Sequence, residues 1–426
     1  MSRRAAFTGL MTAEAISLFG SRMTFVAVPW LVLVTTGSAT QTGVVAFAEM
    51  LPYVLACATG GPLIDRLGPR RTSIAMDAVS VLAVGAIPLL HRAGHLTLGF
   101  LVAVVAVAGL VRGLGDTAKR AVFPRVVASA GVDLTRATAI HDGLARAGTL
   151  IGAPLAGVLV AATDAPSVLL VDAASFGLAA ILVGLFVPVA ARAAAAEIDA
   201  GGELRLSYVG QLREGIAFVR RDRLMLGIML MLFVTNLLDQ AYGSVFVPVW
   251  AKEFFGSPIG LGLASGAFAA GAVAGNLAYT VLAPRLPRFA PFAVGFLLGG
   301  APRFLTLAFD APLWTVISVA FAAGVGLSVV NPILGAVGYE RIPERLQARV
   351  QGLAIALSWA GIPIGSLLGG WLADHVGLRN ALLLGAIAYL AATLLPFTGR
   401  VWRQMDRSSA APREAREAGE PVAARP

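Results

Sequence analysis

Residues 61–71 read GPLIDRLGPRR. An apolar run about one membrane span long ends there, and another begins at Ser73. Between them, Gly61, Gly68 and Pro69 force a tight turn, and Asp65, Arg66, Arg70 and Arg71 make it short and cationic. A cationic hairpin between two long apolar segments predicts a cytoplasmic loop joining two transmembrane helices.

The rest of the chain agrees with that loop. Of its 426 residues, 57% are hydrophobic and only 13% charged, with a mean hydropathy of +0.79. Soluble domains carry roughly a quarter charged residues. Apolar stretches of about 20 residues recur along nearly the whole length, which predicts an all-α membrane protein. The runs are continuous rather than alternating, which argues against a β-barrel. The net charge of +9 is dispersed over short loops, so no nucleic-acid partner is expected. The single cysteine, Cys57, lies in an apolar span and leaves no disulfide framework or CxxC metal site within one chain. Arg3 and Arg4 precede an apolar stretch that runs to about Thr36, too long for a signal peptide and lacking a small-residue cleavage site. An uncleaved first helix is expected.

Twelve spans are expected, at 8–35, 42–64, 73–90, 97–118, 138–163, 167–190, 224–250, 259–283, 290–308, 313–337, 350–373 and 379–399. With the N-terminus inside, cytoplasmic segments hold 26 of the 33 lysines and arginines and outside loops hold three, Arg92, Lys252 and Arg379. Both termini are therefore expected in the cytoplasm. The organisation is a six-helix bundle over 1–190, a cytoplasmic linker over 191–223, a second six-helix bundle over 224–399 and a disordered tail over 400–426. In the linker, Tyr208, Leu212, Ile216 and Val219 repeat at helical spacing, which predicts an amphipathic helix at the inner membrane surface. The tail is Ala, Pro, Arg and Glu without periodic hydrophobes.

The halves resemble each other. FVAVPW (25–30) matches SVFVPVW (244–250), Pro29 with Pro248, and GAPLAG (152–157) aligns with GSLLGG (365–370). Arg136 and Arg349 share that second alignment. Two six-helix halves related as parallel repeats are what a facilitator-type transporter requires.

The opening loop resembles the signature of the major facilitator superfamily, G-x-L-x-D-x-x-G-x-R/K-R/K, at Gly61, Leu63, Asp65, Gly68, Arg70 and Arg71. LREGIAFVRRD before span 7, RATAIHDGLARAGTLIGAPLAG in span 5, VDAASF in span 6 and RVQGLAIALSWAGIPIGSLLGGWLAD in span 11 are similar to drug:proton antiporters of the macrolide-efflux and enterobactin-exporter type. The resemblance covers nearly all of residues 8–399. It implies proton-driven export of an amphipathic small molecule. There are departures. The span-5 motif of such antiporters, G-x-x-x-G-P-x-x-G, appears as Gly148, Gly152, Ala153, Pro154 and Gly157, with the proline shifted by one. Its role in close helix packing and kinking survives the shift. Arg112 in span 4 is followed by Gly113 and Gly115, a partial match, and the second-half counterpart of the loop, around Pro284–Arg288, lacks the Asp and Gly.

A charge at the bilayer centre costs about 2.5–3.5 kcal/mol on insertion scales, so charged residues inside spans are the functional candidates. Glu14, Leu18, Ser21, Arg22 and Phe25 form one stripe of span 1. Glu14 and Arg22 are about 12 Å apart along the axis, so each needs another partner. Glu14 either reaches the cytoplasmic interface or carries a proton, and Arg22 is expected to line the cavity. Glu49, before Pro52 in span 2, and Asp239 in span 7 are the other proton-coupling candidates. Asn236, Asp239, Gln240 and Gly243 share one face. Arg112 and Asp116, four residues apart, either pair together or bring Arg112 toward Asp65. With Arg349 they form an expected gating network, on whose span-11 end the Asp65 loop would dock. Arg303 is mid-span without a sequence partner. Asp77 and Asp172 are expected to be structural. Of the aromatics, Phe25, Tyr242 and Phe246 are the expected substrate surface. His141 and His375 are expected at membrane interfaces, not as metal ligands.

No catalytic triad order, phosphate loop or metal-ligand spacing is present, so no enzyme activity and no cofactor are expected. The leading reading is a proton-coupled exporter acting as a monomer in the inner membrane of a bacterium. An importer or facilitator of the same fold, and a non-transporting membrane sensor, are the alternatives.

Overall fold

The computed structural model describes residues 3–188, 208–343 and 346–406. Side chains of Tyr208, Leu212 and Arg349, and the whole of 191–207 and 407–426, lie outside the described residues, and with them the expectations placed there.

The described residues form helices and no strand. Twelve helices are long and apolar enough to cross a membrane. They are span 1 (Arg4–Thr36), 2 (Ala39–Thr59), 3 (Pro69–Arg92), 4 (Leu98–Ala130), 5 (Arg136–Ala162), 6 (Ala165–Phe186), 7 (Arg223–Phe255), 8 (Ile259–Arg285), 9 (Phe289–Ala308), 10 (Leu313–Arg341), 11 (Val350–Val376) and 12 (Leu378–Thr398). Span 4 continues well past the expected end at 118. Large apolar side chains such as Leu82, Val281 and Ile387 stand exposed on the outside of the bundle, the surface that lipid would cover.

Local chemistry sets the ends and breaks. Ser38, Thr97, Asp133, Asp164 and Asp222 accept hydrogen bonds from first-turn amides as N-caps. Asp164 lies between spans, and its bonds from Ser167 hold its carboxyl below the usual range. Spans 9, 10 and 11 are each interrupted, at Gly300, Ser328–Val329 and Ala360, just before Pro302, Pro332 and Pro363. A proline lacks the amide that would continue the ladder and crowds the preceding turn. Span 7 contains two π-helical turns, Tyr242–Phe246 and Ala251–Phe255, on either side of Pro248.

Helix packing follows a sixfold offset. Span 1 packs on spans 5 and 6, span 2 on span 4, and span 3 on spans 4 and 6. Six spans later, span 7 packs on 11 and 12, span 8 on 10, and span 9 on 10 and 12. The two halves meet through spans 2 and 11 and through spans 5 and 8. The aligned runs GAPLAG and GSLLGG are the residues that make these contacts. A Cβ at Gly157 would lie 2.8 Å from the Pro258 carbonyl oxygen, and one at Gly370 would lie 2.5 Å from that of Ala39. Only glycine permits this approach.

All of these contacts lie on the side opposite the chain termini. There, Asp374 of span 11 accepts from Ser38 Oγ at 2.7 Å and from the amides of Ala39 and Thr40 at 2.9 and 2.8 Å. Lys252 of span 7 donates to the Leu33 carbonyl at 2.6 Å. On the terminal side, the short helix Gly61–Leu67 packs on spans 2, 3 and 4 of its own half. Among the described residues this helix is not packed on span 11, the expected partner of the Asp65 loop, and the halves converge at their other ends; the side chain of Arg349, near which the docking was expected, lies outside the described residues. Asp65, Arg66 and Arg71 are exposed. Arg70 instead donates to the carbonyls of Gly184 and Val187, both at 2.6 Å, closing the end of span 6.

Between the halves' bundles, the linker helix Tyr208–Arg221 is followed directly by span 7. Val219 is buried with Met225, Met229 and Ile342, while Arg220 and Arg221 are exposed.

Candidate functional site

Each half carries buried charges near the surface where the halves face each other. In the first half, spans 2 and 4 run in the same direction and make a two-rung ladder. Arg112 Nη1 donates to Glu49 Oε1 at 3.0 Å, and one turn on, Tyr53 Oη donates to Asp116 Oδ2 at 3.2 Å. Both pairs of residues are four apart on their helices, so the rungs keep register. The Arg112 guanidinium also lies over the Tyr53 ring, 5.0 Å from its centroid. Gly109 makes the approach possible, since a Cβ there would collide with the Glu49 carbonyl.

This corrects the expected network. Arg112 pairs with neither Asp116 nor Asp65. Sharing one helix face brought Arg112 and Asp116 side by side, but the facing residues of span 2 supply each with its own partner.

The second half has one compact cluster. Arg303 Nη2 donates to Asp239 Oδ1 at 2.5 Å, and Tyr389 Oη lies 3.4 Å from the other carboxylate oxygen. The guanidinium sits 4.9 Å from the Tyr242 ring centroid and 5.6 Å from that of Phe268. The break at Gly300 builds this cluster. It starts a new helical segment three residues before Arg303, and a Cβ at Gly300 would overlap the Tyr389 ring. The Arg303 side chain is 8% exposed and that of Asp239 is 33% exposed, so the arginine is the more enclosed partner. Glu49, at 16%, is less accessible.

The other sequence candidates separate. Glu14 lies 3.7 Å from His141 Nδ1, joining spans 1 and 5. Arg22 stands at mid-span with no ion-pair or hydrogen-bond partner among the described residues, half-buried beside Gly152. Phe25 reaches across to Gly243 of the other half. Tyr242 and Phe246 are corrected as an open substrate surface, being 8% and 2% exposed and packed on Phe304. Asn236 donates to the Ser358 carbonyl at 2.9 Å and ties span 7 to span 11. Gly148 faces Leu18 and Phe19, Gly152 faces Arg22, and Pro154 and Gly157 face span 8.

Several partners were not anticipated. Lys119, expected in a cytoplasmic segment, is buried and donates to Asp77 at 2.9 Å. Asp172 accepts a hydrogen bond from the Thr24 hydroxyl. Tyr53 could have been found from its spacing to Glu49, but Tyr389 and Asp374 carry no local signal. Among the described residues no group of three or more His, Cys, Asp or Glu converges as a metal site.

The family model "Major Facilitator Superfamily" matches residues 10–256 and 228–425. The multidrug efflux pump Tap of Mycobacterium tuberculosis is 28% identical over 405 residues, covering 93% of this chain and 94% of that protein. Macrolide efflux protein A of Streptococcus pyogenes is 21% identical over 406 residues, covering 94% and 97%. Among solved structures, the nucleoside transporter NupG superposes with a TM-score of 0.70 at 13% identity, covering 92% of this chain and 98% of that one. A bacterial homologue of the iron transporter ferroportin in an inward-facing state gives 0.65 at 17% identity, covering 92% and 100%. At these identities the solved structures are similar in fold alone.

Proposed function

We propose that this chain, which belongs to the major facilitator superfamily, exports amphipathic small molecules by alternating access in exchange for protons. It is a multi-pass transporter of the bacterial inner membrane and not an enzyme. The observation that carries the reading is the combination of one-sided closure with an intramembrane acid–arginine pair in each half. With the termini cytoplasmic, as the lysine and arginine distribution implies, the sealed face is external and the cleft opens to the cytoplasm.

In that state, substrate enters from the cytoplasm and protons leave Glu49 or Asp239, whose carboxylates then pair with Arg112 and Arg303. Protonation of either acid removes its charge and releases its arginine. Among the described residues the freed cation has no second acid within ion-pair distance. Leaving it buried costs several kcal/mol, enough to bias the two arrangements of the halves against each other. The efflux names of the relatives in mycobacteria and streptococci support the outward direction.

The test is uptake into inside-out vesicles energised by a proton gradient, with a panel of amphipathic dyes and macrolides. Gradient-dependent accumulation that Asp239→Asn or Glu49→Gln abolishes is the expected result. Uptake indifferent to the gradient and to both substitutions would replace the antiporter with a facilitator of the same fold.

A further inference from the structure

The four arginines at mid-span positions are not equivalent. Arg112 and Arg303 each hold a carboxylate, at 3.0 and 2.5 Å. Arg22 and Arg146 form no hydrogen bond or ion pair with any described residue. Arg22 is the deeper of the two. It lies eighteen residues beyond Arg4 and fourteen before Thr36, about 27 and 21 Å along the helix axis. That depth puts it out of reach of a lipid headgroup at either interface. The charged neighbours that act on it are another cation, Arg112, and Asp116, which stands beyond ion-pair distance and is engaged by Tyr53.

The span-5 side of Arg22 is closely packed: a Cβ at Gly152 would come within 3.2 Å of Arg22 Cβ and 3.3 Å of the Phe19 carbonyl oxygen, so glycine is what lets span 5 approach the stem of the arginine. Phe19 borders the same position, and Phe25, one turn along, touches Gly243 of the opposite half. Arg146 lies on the face of span 5 that carries Leu150 and Pro154 against span 8, one turn nearer the terminal side than Leu150. Two cations without a counter-charge among the described residues therefore lie at successive depths, with Phe19 beside Arg22.

We propose that Arg22 is the anchoring residue for an anionic oxygen group, a carboxylate on an apolar, aromatic-sized body, and that such amphipathic acids are among the transported compounds. A guanidinium offers a planar fork that matches a carboxylate bidentately. In a site screened from water, that pairing replaces the missing protein counter-charge, while Phe19 and Phe25 cover the apolar part. The proposal rests on the transporter reading, but binding can be read without transport.

The test uses the purified full chain in detergent with two fluorescent probes of the same body, pyrenebutyrate and pyrenebutanol. Their equilibrium binding is measured for the wild type, Arg22→Gln and Arg22→Lys. The expected result is tighter binding of pyrenebutyrate than of pyrenebutanol by the wild type. Arg22→Gln should weaken pyrenebutyrate about tenfold or more, Arg22→Lys should weaken it less, and pyrenebutanol should be unchanged in both. Unchanged pyrenebutanol binding also reports that the variants are folded. Equal affinities of the wild type for the two probes, or equal losses for both in Arg22→Gln, would overturn the assignment. Neither result depends on the direction of transport or on proton coupling, so failure here is distinguishable from failure of the export reading in vesicles.

Discussion

Asp374 and Ser38, 336 positions apart in sequence, hydrogen-bond at 2.7 Å across the line where the two halves meet. The same carboxylate accepts the amides of Ala39 and Thr40, so a residue of one half caps a helix of the other. Losing a cap of this kind to alanine costs about 1 kcal/mol. Asp374→Ala should therefore shift the equilibrium toward opening of this face by about fivefold. Distances between spin labels at Thr36 and Arg379, both exposed, check this. A distribution unchanged from wild type would show that the cap contributes nothing to closure.

Glycine contacts set how far the halves can close. Gly157 and Gly370 occupy aligned positions in the repeat, and each meets backbone of the other half. Gly157→Leu or Gly370→Leu should hold this face open and abolish turnover while leaving each bundle folded. Spin-label distances together with transport would record both effects. Normal turnover in either variant would mean that this packing is not part of the cycle.

The Asp239–Arg303 pair allows structure and function to be separated. Asp239→Asn leaves a buried arginine without its counter-charge, a cost of about 3–5 kcal/mol. Thermal unfolding should drop accordingly. The double variant Asp239→Leu/Arg303→Met should recover most of that stability but not transport. If it recovers transport as well, the pair is a packing device only.

Lys119 and Asp77 make the contrasting case, enclosed within the first half and 3% and 4% exposed by side chain. Lys119→Met should lower the unfolding temperature, and Lys119→Met/Asp77→Leu should restore it, again because an unpaired buried charge costs more than an apolar replacement of the pair. Transport by the double variant should approach wild type. Loss of transport at restored stability would place the pair in the coupling machinery.

The elements were legible because their signals are local. Twenty-residue apolar runs and the lysine and arginine distribution need no knowledge of neighbours. The repeat was legible too, and the aligned glycine runs proved to be the matching inter-half contacts. Pairing was not legible. Glu49 and Arg112 were both singled out, as were Asp239 and Arg303, yet 63 and 64 positions separate the partners. Which helices adjoin, and how each is rotated, decides the match. Lys119 was misplaced for a related reason: span 4 continues as helix beyond its most apolar part, and Asp77 makes burial of the ammonium tolerable. Phe246 was misjudged because sharing a helix with a polar stripe does not fix which face looks into the cleft.

The central claim is that substrate and protons move in opposite directions through these paired charges. Its most direct measurement is lumenal pH in proteoliposomes of uniform orientation, with an amphipathic substrate added on one side and no preset gradient. The account predicts that substrate movement drives a counter-flow of protons, seen as a pH change that Glu49→Gln or Asp239→Asn removes while substrate binding persists. Substrate flux with no pH change in the wild type, or a pH change showing protons moving with the substrate, would contradict it.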